Sequence, residues 1–169
     1  SRPPRGSSHQ CTNKVHPRPN WPVYDGFMKT VKQILNFKGH KLHTIRSDAT
    51  VYEALECMAR DEIGAMVVVD DGVLTGIISE RDYARKIILK GHQSADTQVR
   101  DIMTPNVVCV TSDASVDVCM SAMTEKRIRH LVVRDEGRLS GVISIGDVVK
   151  AIIEDQQFTI EQLERYISS

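Results

Sequence analysis

The chain has 169 residues, of which 41% are hydrophobic and 26% are charged, a composition typical of a globular domain. Its 22 basic and 22 acidic side chains balance, which argues against a chain-wide surface for nucleic acid. No apolar run reaches the roughly 18 residues that a membrane-spanning helix needs. We therefore expect neither a nucleic-acid partner nor a membrane.

The N-terminal segment, residues 1–26, differs from the rest of the chain. It holds four basic residues and five prolines, and its first acid is Asp25. Such a stretch buries too little apolar surface to fold alone, so the sequence predicts a disordered tail. The composition is compatible with a remnant of an organellar targeting peptide, with a plain disordered tail and with vector sequence. A targeting-peptide remnant would predict a mitochondrial location, whereas a plain disordered tail or vector sequence would leave a cytoplasmic location.

An internal duplication dominates the remaining sequence. Shifted by 65 residues, the chain matches itself without a gap from Ile45 to Lys86, so that SDATV at 47–51 falls on SDASV at 112–116. Further upstream, residues 31–35 resemble residues 99–103, with three extra residues in the first copy. The predicted boundaries are 27–91 for the first repeat and 92–156 for the second.

Both copies predict the same elements in the same order. A short strand comes first, and a helix follows whose apolar side chains, such as Val51, Leu55 and Met58, share one face. Two strands joined by a tight Asp-Gly or Glu-Gly turn come next, and a second helix closes the unit. The predicted strands are 42–45, 66–69 and 74–78 in the first copy and 107–110, 131–133 and 139–143 in the second.

A further amphipathic helix is predicted for residues 157–169, with Thr159 as its N-terminal cap. Because a single repeat has too little core, we expect each to bury its sheet against the other. The predicted fold is thus α/β, with two β-α-β-β-α repeats packed through their sheets as a pseudo-two-fold pair, plus this C-terminal helix.

Four cysteines, Cys11, Cys57, Cys109 and Cys119, match no zinc or redox spacing. They are predicted to be free thiols, and no metal site is expected.

Two matching motifs identify a family resemblance. Residues 76–82 (GIISERD) and 141–147 (GVISIGD) resemble the G-h-[IV]-[ST]-x-x-D signature of CBS domains, and VRDIMT at 99–104 resembles the usual entry to a CBS repeat. The likeness covers about residues 28–156 and is greatest to single-pair CBS proteins of mitochondria, plants and proteobacteria.

The resemblance implies a regulatory function. CBS pairs bind AMP, ADP, ATP, S-adenosylmethionine or related adenosyl compounds in two clefts between the repeats, and many regulate a partner without activity of their own. For this chain it implies a regulatory ligand but no obligatory cofactor, a homodimer, and a regulated partner such as a thioredoxin.

Binding residues follow from the resemblance. Asp82 and Asp147 are expected to accept the ribose hydroxyls, and Ser79 and Ser144 to contact the sugar or phosphate. By itself, Ser-x-x-Asp also fits a helix-capping box, and the two roles are compatible.

Cations beside these motifs are the candidate phosphate ligands, although a solvated basic surface remains the alternative. The candidates are Arg81 and Arg85 in the first copy and Arg129 and His130 in the second. Since the flanking cations differ, the two sites are expected to differ in affinity.

Two other classes of function are the alternatives to a regulatory sensor. An enzyme is not expected, because the chain contains no Walker loop, dinucleotide fingerprint or nucleophile elbow. A dimerising interaction module that binds no nucleotide is the alternative to a sensor.

Overall fold

The computed structural model describes residues 29–168. The predictions for the tail at 1–26 and for Cys11 lie outside this part of the chain. The helices are α1 (Val31–Lys38), α2 (Val51–Asp61), α3 (Glu80–Tyr83), α4 (Val99–Ile102), α5 (Val116–Lys126) and α6 (Ile145–Ser168). The strands are β1 (Thr44–Ile45), β2 (Ala65–Asp70), β3 (Val73–Ser79), β4 (Cys109–Val110), β5 (His130–Asp135) and β6 (Arg138–Ser144).

The strands form two three-stranded sheets with the same topology. The order is β1-β2-β3 in one sheet and β4-β5-β6 in the other, each with one parallel and one antiparallel pairing. The α/β class and the order of the predicted elements in both copies are confirmed, but each copy also begins with a helix, α1 or α4, that was not predicted.

The hairpin turns of the two copies have the same backbone conformation. Asp71 and Gly72 have φ of 49° and 77°, and Glu136 and Gly137 have φ of 48° and 81°. Two successive residues with positive φ form the turn whose twist matches that of the flanking strands. The Asp-Gly and Glu-Gly turns predicted from the sequence are therefore present.

Contacts divide the described chain into two compact units that are offset from the sequence repeat. Residues 43–108 form the first unit, and residues 29–42 with 109–168 form the second. Thus α1, which begins the first copy, belongs to the second unit, whereas α4, which begins the second copy, belongs to the first. The boundaries 27–91 and 92–156 describe the duplication and stay a prediction.

Backbone hydrogen bonds hold each leading helix in its unit. In the second unit, the Val31 amide donates to the Ala114 carbonyl at 2.9 Å, and the Val116 amide donates to Lys29 at 3.0 Å. In the first unit, the Val99 amide donates to Ala49 at 2.8 Å. The leading helices are thereby joined to the start of α5 and of α2, respectively.

Each leading helix also packs on the glycine of a Ser-x-x-Asp motif. A Cβ added at Gly76 would lie 2.7 Å from the Met103 sulfur and 3.0 Å from the Thr104 carbonyl oxygen. A Cβ at Gly141 would lie 2.8 Å from Leu35. Because Leu35 and Met103 occupy matching places in the duplication, the same contact is built in both units, and any side chain at either glycine would collide with it.

We expect Gly76→Ala to lower the free energy of unfolding by about 1–2 kcal/mol, because overpacking must displace Met103 or the backbone. Urea denaturation measures this. Gly146→Ala is the matched control, since a Cβ there meets its nearest neighbour at an ordinary 3.6 Å. Equal stability of the two variants would show that the close approach at Gly76 has no energetic consequence.

The core of the first unit lies between its sheet and its helices. Its buried members come from α2, β2, β3, α4 and the π-helical turn at Ala84–Ile88 that continues α3: Val51, Ala54, Met58, Met66, Val68, Ile78, Ile87, Val99 and Ile102. In the second unit, α6 replaces that short turn and buries Val148 and Ala151.

The C-terminal segment is helical as predicted but does not begin a new helix. Helix α6 runs without a break for 24 residues from Ile145. The predicted cap at Thr159 is wrong, because its hydroxyl donates to the Asp155 carbonyl at 3.0 Å inside the helix. No helix among residues 29–168 is long and apolar enough to cross a membrane.

The described cysteines differ in state. Cys57 and Cys119 are free thiols, as expected. Burial raises the pKa of the Cys119 thiol to about 11, which keeps it protonated and unreactive near neutral pH. Cys109 is disulfide-bonded, so the prediction of a free thiol is wrong at that position.

Candidate functional site

The first Ser-x-x-Asp motif forms a complete capping box at the start of α3. The Ser79 amide donates to Asp82 Oδ2 at 3.0 Å, and the Asp82 amide donates to Ser79 Oγ at 3.2 Å. The Ser79 hydroxyl donates to the same carboxylate oxygen at 3.0 Å. One oxygen of Asp82 is thus held by the helix start, which fixes the direction of the other.

The second oxygen of Asp82 faces polar groups from two other places in the first unit. Lys86 Nζ lies 3.1 Å from Asp82 Oδ1 and donates to the Ile102 carbonyl at 2.7 Å. The Thr104 hydroxyl lies 3.5 Å from the same oxygen. A carboxylate, an ammonium and a hydroxyl therefore converge, with the Asp82 side chain only 14% exposed.

The second motif repeats the capping box at the start of α6, but here the serine amide and the lysine bind the same carboxylate oxygen. The Ser144 amide donates to Asp147 Oδ2 at 2.9 Å, and the Asp147 amide donates to Ser144 Oγ at 3.2 Å. Lys38, at the end of α1, donates to Asp147 Oδ2 at 2.6 Å and to the Val142 carbonyl at 3.0 Å. Burial alone would raise the pKa of Asp147, but the bonds from Lys38 and Ser144 hold it below its ordinary value.

Both carboxylates thus bind a lysine, but the two lysines have different origins. Lys86 lies one turn after Asp82, and the matching position in the second copy is Ala151. Lys38 lies in α1, which has 8 residues where α4 has 4. Neither Lys38 nor Thr104 was predicted to lie at the site. The signal for Lys38 was the three-residue insertion in the first copy, which lengthens α1 toward Asp147.

The predicted arginines and histidine lie beside the two motifs, either along the chain or across the sheet. Arg81 immediately precedes Asp82 in α3, and Arg85 is exposed in the π-helical turn of the first unit. In the second unit, His130 pairs across the sheet with Ser144, and the Arg129 carbonyl accepts the Ile145 amide at 2.8 Å. Arg129 and His130 are therefore neighbours of the second motif.

The chemistry available at each site is that of a polyol and anion receptor. A fixed carboxylate accepts hydrogen bonds from a diol, while lysine and the flanking cations attract a phosphate or another anion. Because each carboxylate already binds a lysine, a diol has to share or displace that ammonium.

The chain is similar to known proteins over most of its length. The CBS domain family model matches residues 31–89 and 99–154. The mitochondrial CBS domain-containing protein CBSX3 of Arabidopsis thaliana is 38% identical over 168 residues, covering 93% of this chain and 81% of its own length.

Solved structures show the same fold. A putative signal-transduction protein with CBS domains from Burkholderia ambifaria is 49% identical, with a TM-score of 0.73 over 78% of this chain and 99% of that protein. The CBS domain pair of protein MJ0100, in complex with 5′-methylthioadenosine and S-adenosyl-L-methionine, is 27% identical, with a TM-score of 0.66 over 74% of this chain and 96% of that one. The family model matches two segments of the chain, the Arabidopsis relative aligns with most of it, and the solved structures share its fold. The chain therefore belongs to the CBS domain family and contains two CBS domains.

Proposed function

We propose that this protein is a regulatory sensor that binds an adenosyl ligand, AMP, ADP, ATP or S-adenosylmethionine, at its two Ser-x-x-Asp motifs. The observation that carries the proposal is the pair of fixed carboxylates, Asp82 and Asp147, each oriented by its own serine and joined to a lysine. Each carboxylate accepts the ribose hydroxyls, and Ser79 or Ser144 contacts the sugar or phosphate. The complex of MJ0100 with two adenosyl compounds supports this ligand class.

The cations set the preference for phosphate. Arg81 and Arg85 serve the first motif, whereas Arg129 and His130 serve the second. Lys86 and Lys38 contribute once a diol has taken their carboxylate partners. Because the two sets differ in type and position, we propose that the sites bind the same ligand with different affinities.

The ligand acts on a partner rather than being converted. We propose a regulatory protein without catalytic activity that modulates another protein, with a thioredoxin as the candidate partner. CBSX3 is named as mitochondrial, which supports a mitochondrial location for this chain. We further propose that the protein is a homodimer.

Isothermal titration calorimetry against AMP, ADP, ATP, S-adenosylmethionine and adenosine tests the ligand class. We expect saturable binding of at least one adenosyl compound, with unequal affinities at two sites, and recovery of the ligand unchanged by chromatography. Guanosine monophosphate is the control for the base. Absence of binding by every adenosyl compound at millimolar concentration would contradict the sensor and favour an interaction module, the function to which the exposed apolar side chains of α6 point.

A further inference from the structure

The two Ser-x-x-Asp motifs differ in which carboxylate oxygen their lysine binds. At Asp82, the Ser79 amide and hydroxyl both donate to Oδ2, whereas Lys86 Nζ lies 3.1 Å from Oδ1. At Asp147, the serine amide and Lys38 both donate to Oδ2, at 2.9 Å and 2.6 Å. Within the described part of the chain, no hydrogen bond ends on Asp147 Oδ1. The oxygen that the helix cap does not use is thus bound by a lysine in the first motif and not in the second.

Lys86 is held beside Asp82 by contacts within the first unit. It follows Asp82 by four residues, so the two side chains meet one turn apart. Its ammonium also donates at 2.7 Å to the carbonyl of Ile102, the last residue of α4. A helix ends with carbonyls that its own backbone cannot satisfy, so this bond also stabilises the end of α4. The ion pair is partly shielded from water, since Asp82 is 14% and Lys86 36% exposed.

This difference changes what a ribose diol meets at each motif. The diol has to reach the carboxylate through the oxygen that the helix cap leaves available. At Asp82 it meets Lys86 there and has to displace it, which leaves a partly buried ammonium without its counter-charge. At Asp147 it can bind Oδ1 while Lys38 stays on Oδ2. Affinity at the first motif is therefore reduced by the small fraction of molecules in which Lys86 has left the carboxylate, and affinity at the second is not.

We propose that Lys86 is an internal competitor at the first motif and the residue that determines its specificity. Only a nucleoside phosphate opens this motif, whereas the second motif accepts adenosyl compounds with or without a phosphate. A phosphate beside the ribose gives the displaced ammonium a new anionic acceptor. Adenosine supplies no anion, and the sulfonium of S-adenosylmethionine adds a like charge next to the ribose. The inference rests on the adenosyl ligand proposed above and assigns AMP, ADP or ATP to the first motif.

Calorimetry with adenosine tests the competition at the first motif alone. In a chain that carries Asp147→Asn, which disables the second motif, we expect Lys86→Met to lower the dissociation constant of adenosine roughly tenfold or more, because the competing charge is gone. Lys90→Met is the matched control, since it removes the charge of an exposed lysine four residues further on and leaves the affinity unchanged. An adenosine affinity that Lys86→Met does not raise overturns the proposal.

The reciprocal chain tests the second motif. With Asp82→Asn in place, we expect adenosine to bind, and Lys38→Met to give no gain in affinity, because Lys38 does not hold the oxygen that the diol uses. A gain as large as that of Lys86→Met would overturn the distinction between the two motifs.

Salt dependence provides a measurement that keeps Lys86 in place and needs no second substitution. In the Asp147→Asn chain, added salt screens the Lys86–Asp82 pair, so adenosine binding is expected to strengthen while AMP binding weakens. Adenosine binding that weakens with salt contradicts the competition. Absence of AMP binding to the wild type would instead contradict the proposed function itself, whereas AMP binding with no effect of Lys86→Met on adenosine overturns only this inference.

Discussion

Replacing Leu35 with alanine is expected to lower the free energy of unfolding by about 3 kcal/mol, the usual cost of a cavity at a buried leucine. Leu35 is 1% exposed, and its side chain packs against Gly141, where an added Cβ would lie 2.8 Å from it. The substitution removes the side chain that joins α1 to β6, although the two elements are separated by a whole repeat in the sequence. Urea denaturation followed by circular dichroism measures the loss.

Lys32→Ala is the matched control in the same helix. Lys32 is exposed, so its replacement is expected to change stability by less than about 0.5 kcal/mol. If Leu35→Ala were as stable as this control, α1 would not be part of the core of the second unit.

Asp82→Asn and Asp147→Asn are expected to remove most of the stabilisation that an adenosyl ligand gives. A ligand at 100 times its dissociation constant adds about 2.7 kcal/mol to a protein that binds it only when folded. Asparagine retains an oxygen for the serine amide, so the helix cap survives while the negative charge that accepts the ribose hydroxyls is lost. Denaturation with and without ligand measures the difference for each variant.

The two variants are expected to lose unequal amounts, because Arg81 and Arg85 flank only the first motif and Arg129 and His130 only the second. Asp117→Asn, at an exposed position of α5, is the control for a general loss of negative charge. Ligand stabilisation that persists in both site variants would show that the carboxylates do not bind the ligand. Equal losses would contradict the difference between the sites.

Local features of the chain were readable from its sequence. The spacing of Val51, Ala54 and Met58 required a helix with one buried face, and that face is buried. Asp-Gly and Glu-Gly between apolar runs required tight hairpins, and both turns have the positive φ that such hairpins need. Ser79 and Asp82, or Ser144 and Asp147, are three residues apart, so their capping boxes depend only on the helix that they begin.

The continuity of α6 was not predictable from the same signals. Thr159 and Gln162 match a capping box, and this favoured a new helix after residue 156. However, a threonine within a helix can instead donate to the carbonyl four residues earlier, as Thr159 does. The Thr159–Gln162 pattern is the same whether a helix begins at Thr159 or continues through it. Only the conformation of the residues before Thr159 decides between the two, and here they are already helical.

What the sequence by itself determined is the repeated unit: its elements, its turns, its caps and the family to which it belongs. These depend on residues close together in the chain, where periodicity and propensity act. Only the tertiary structure decided that Leu35 packs on Gly141 and Met103 on Gly76, and that Lys38 and Lys86, which do not match in the duplication, bind the two matching carboxylates. The physical reason is that an ion pair requires a charge at a given point in space, and the chain can bring a lysine to that point either from the next helical turn or from 109 residues away.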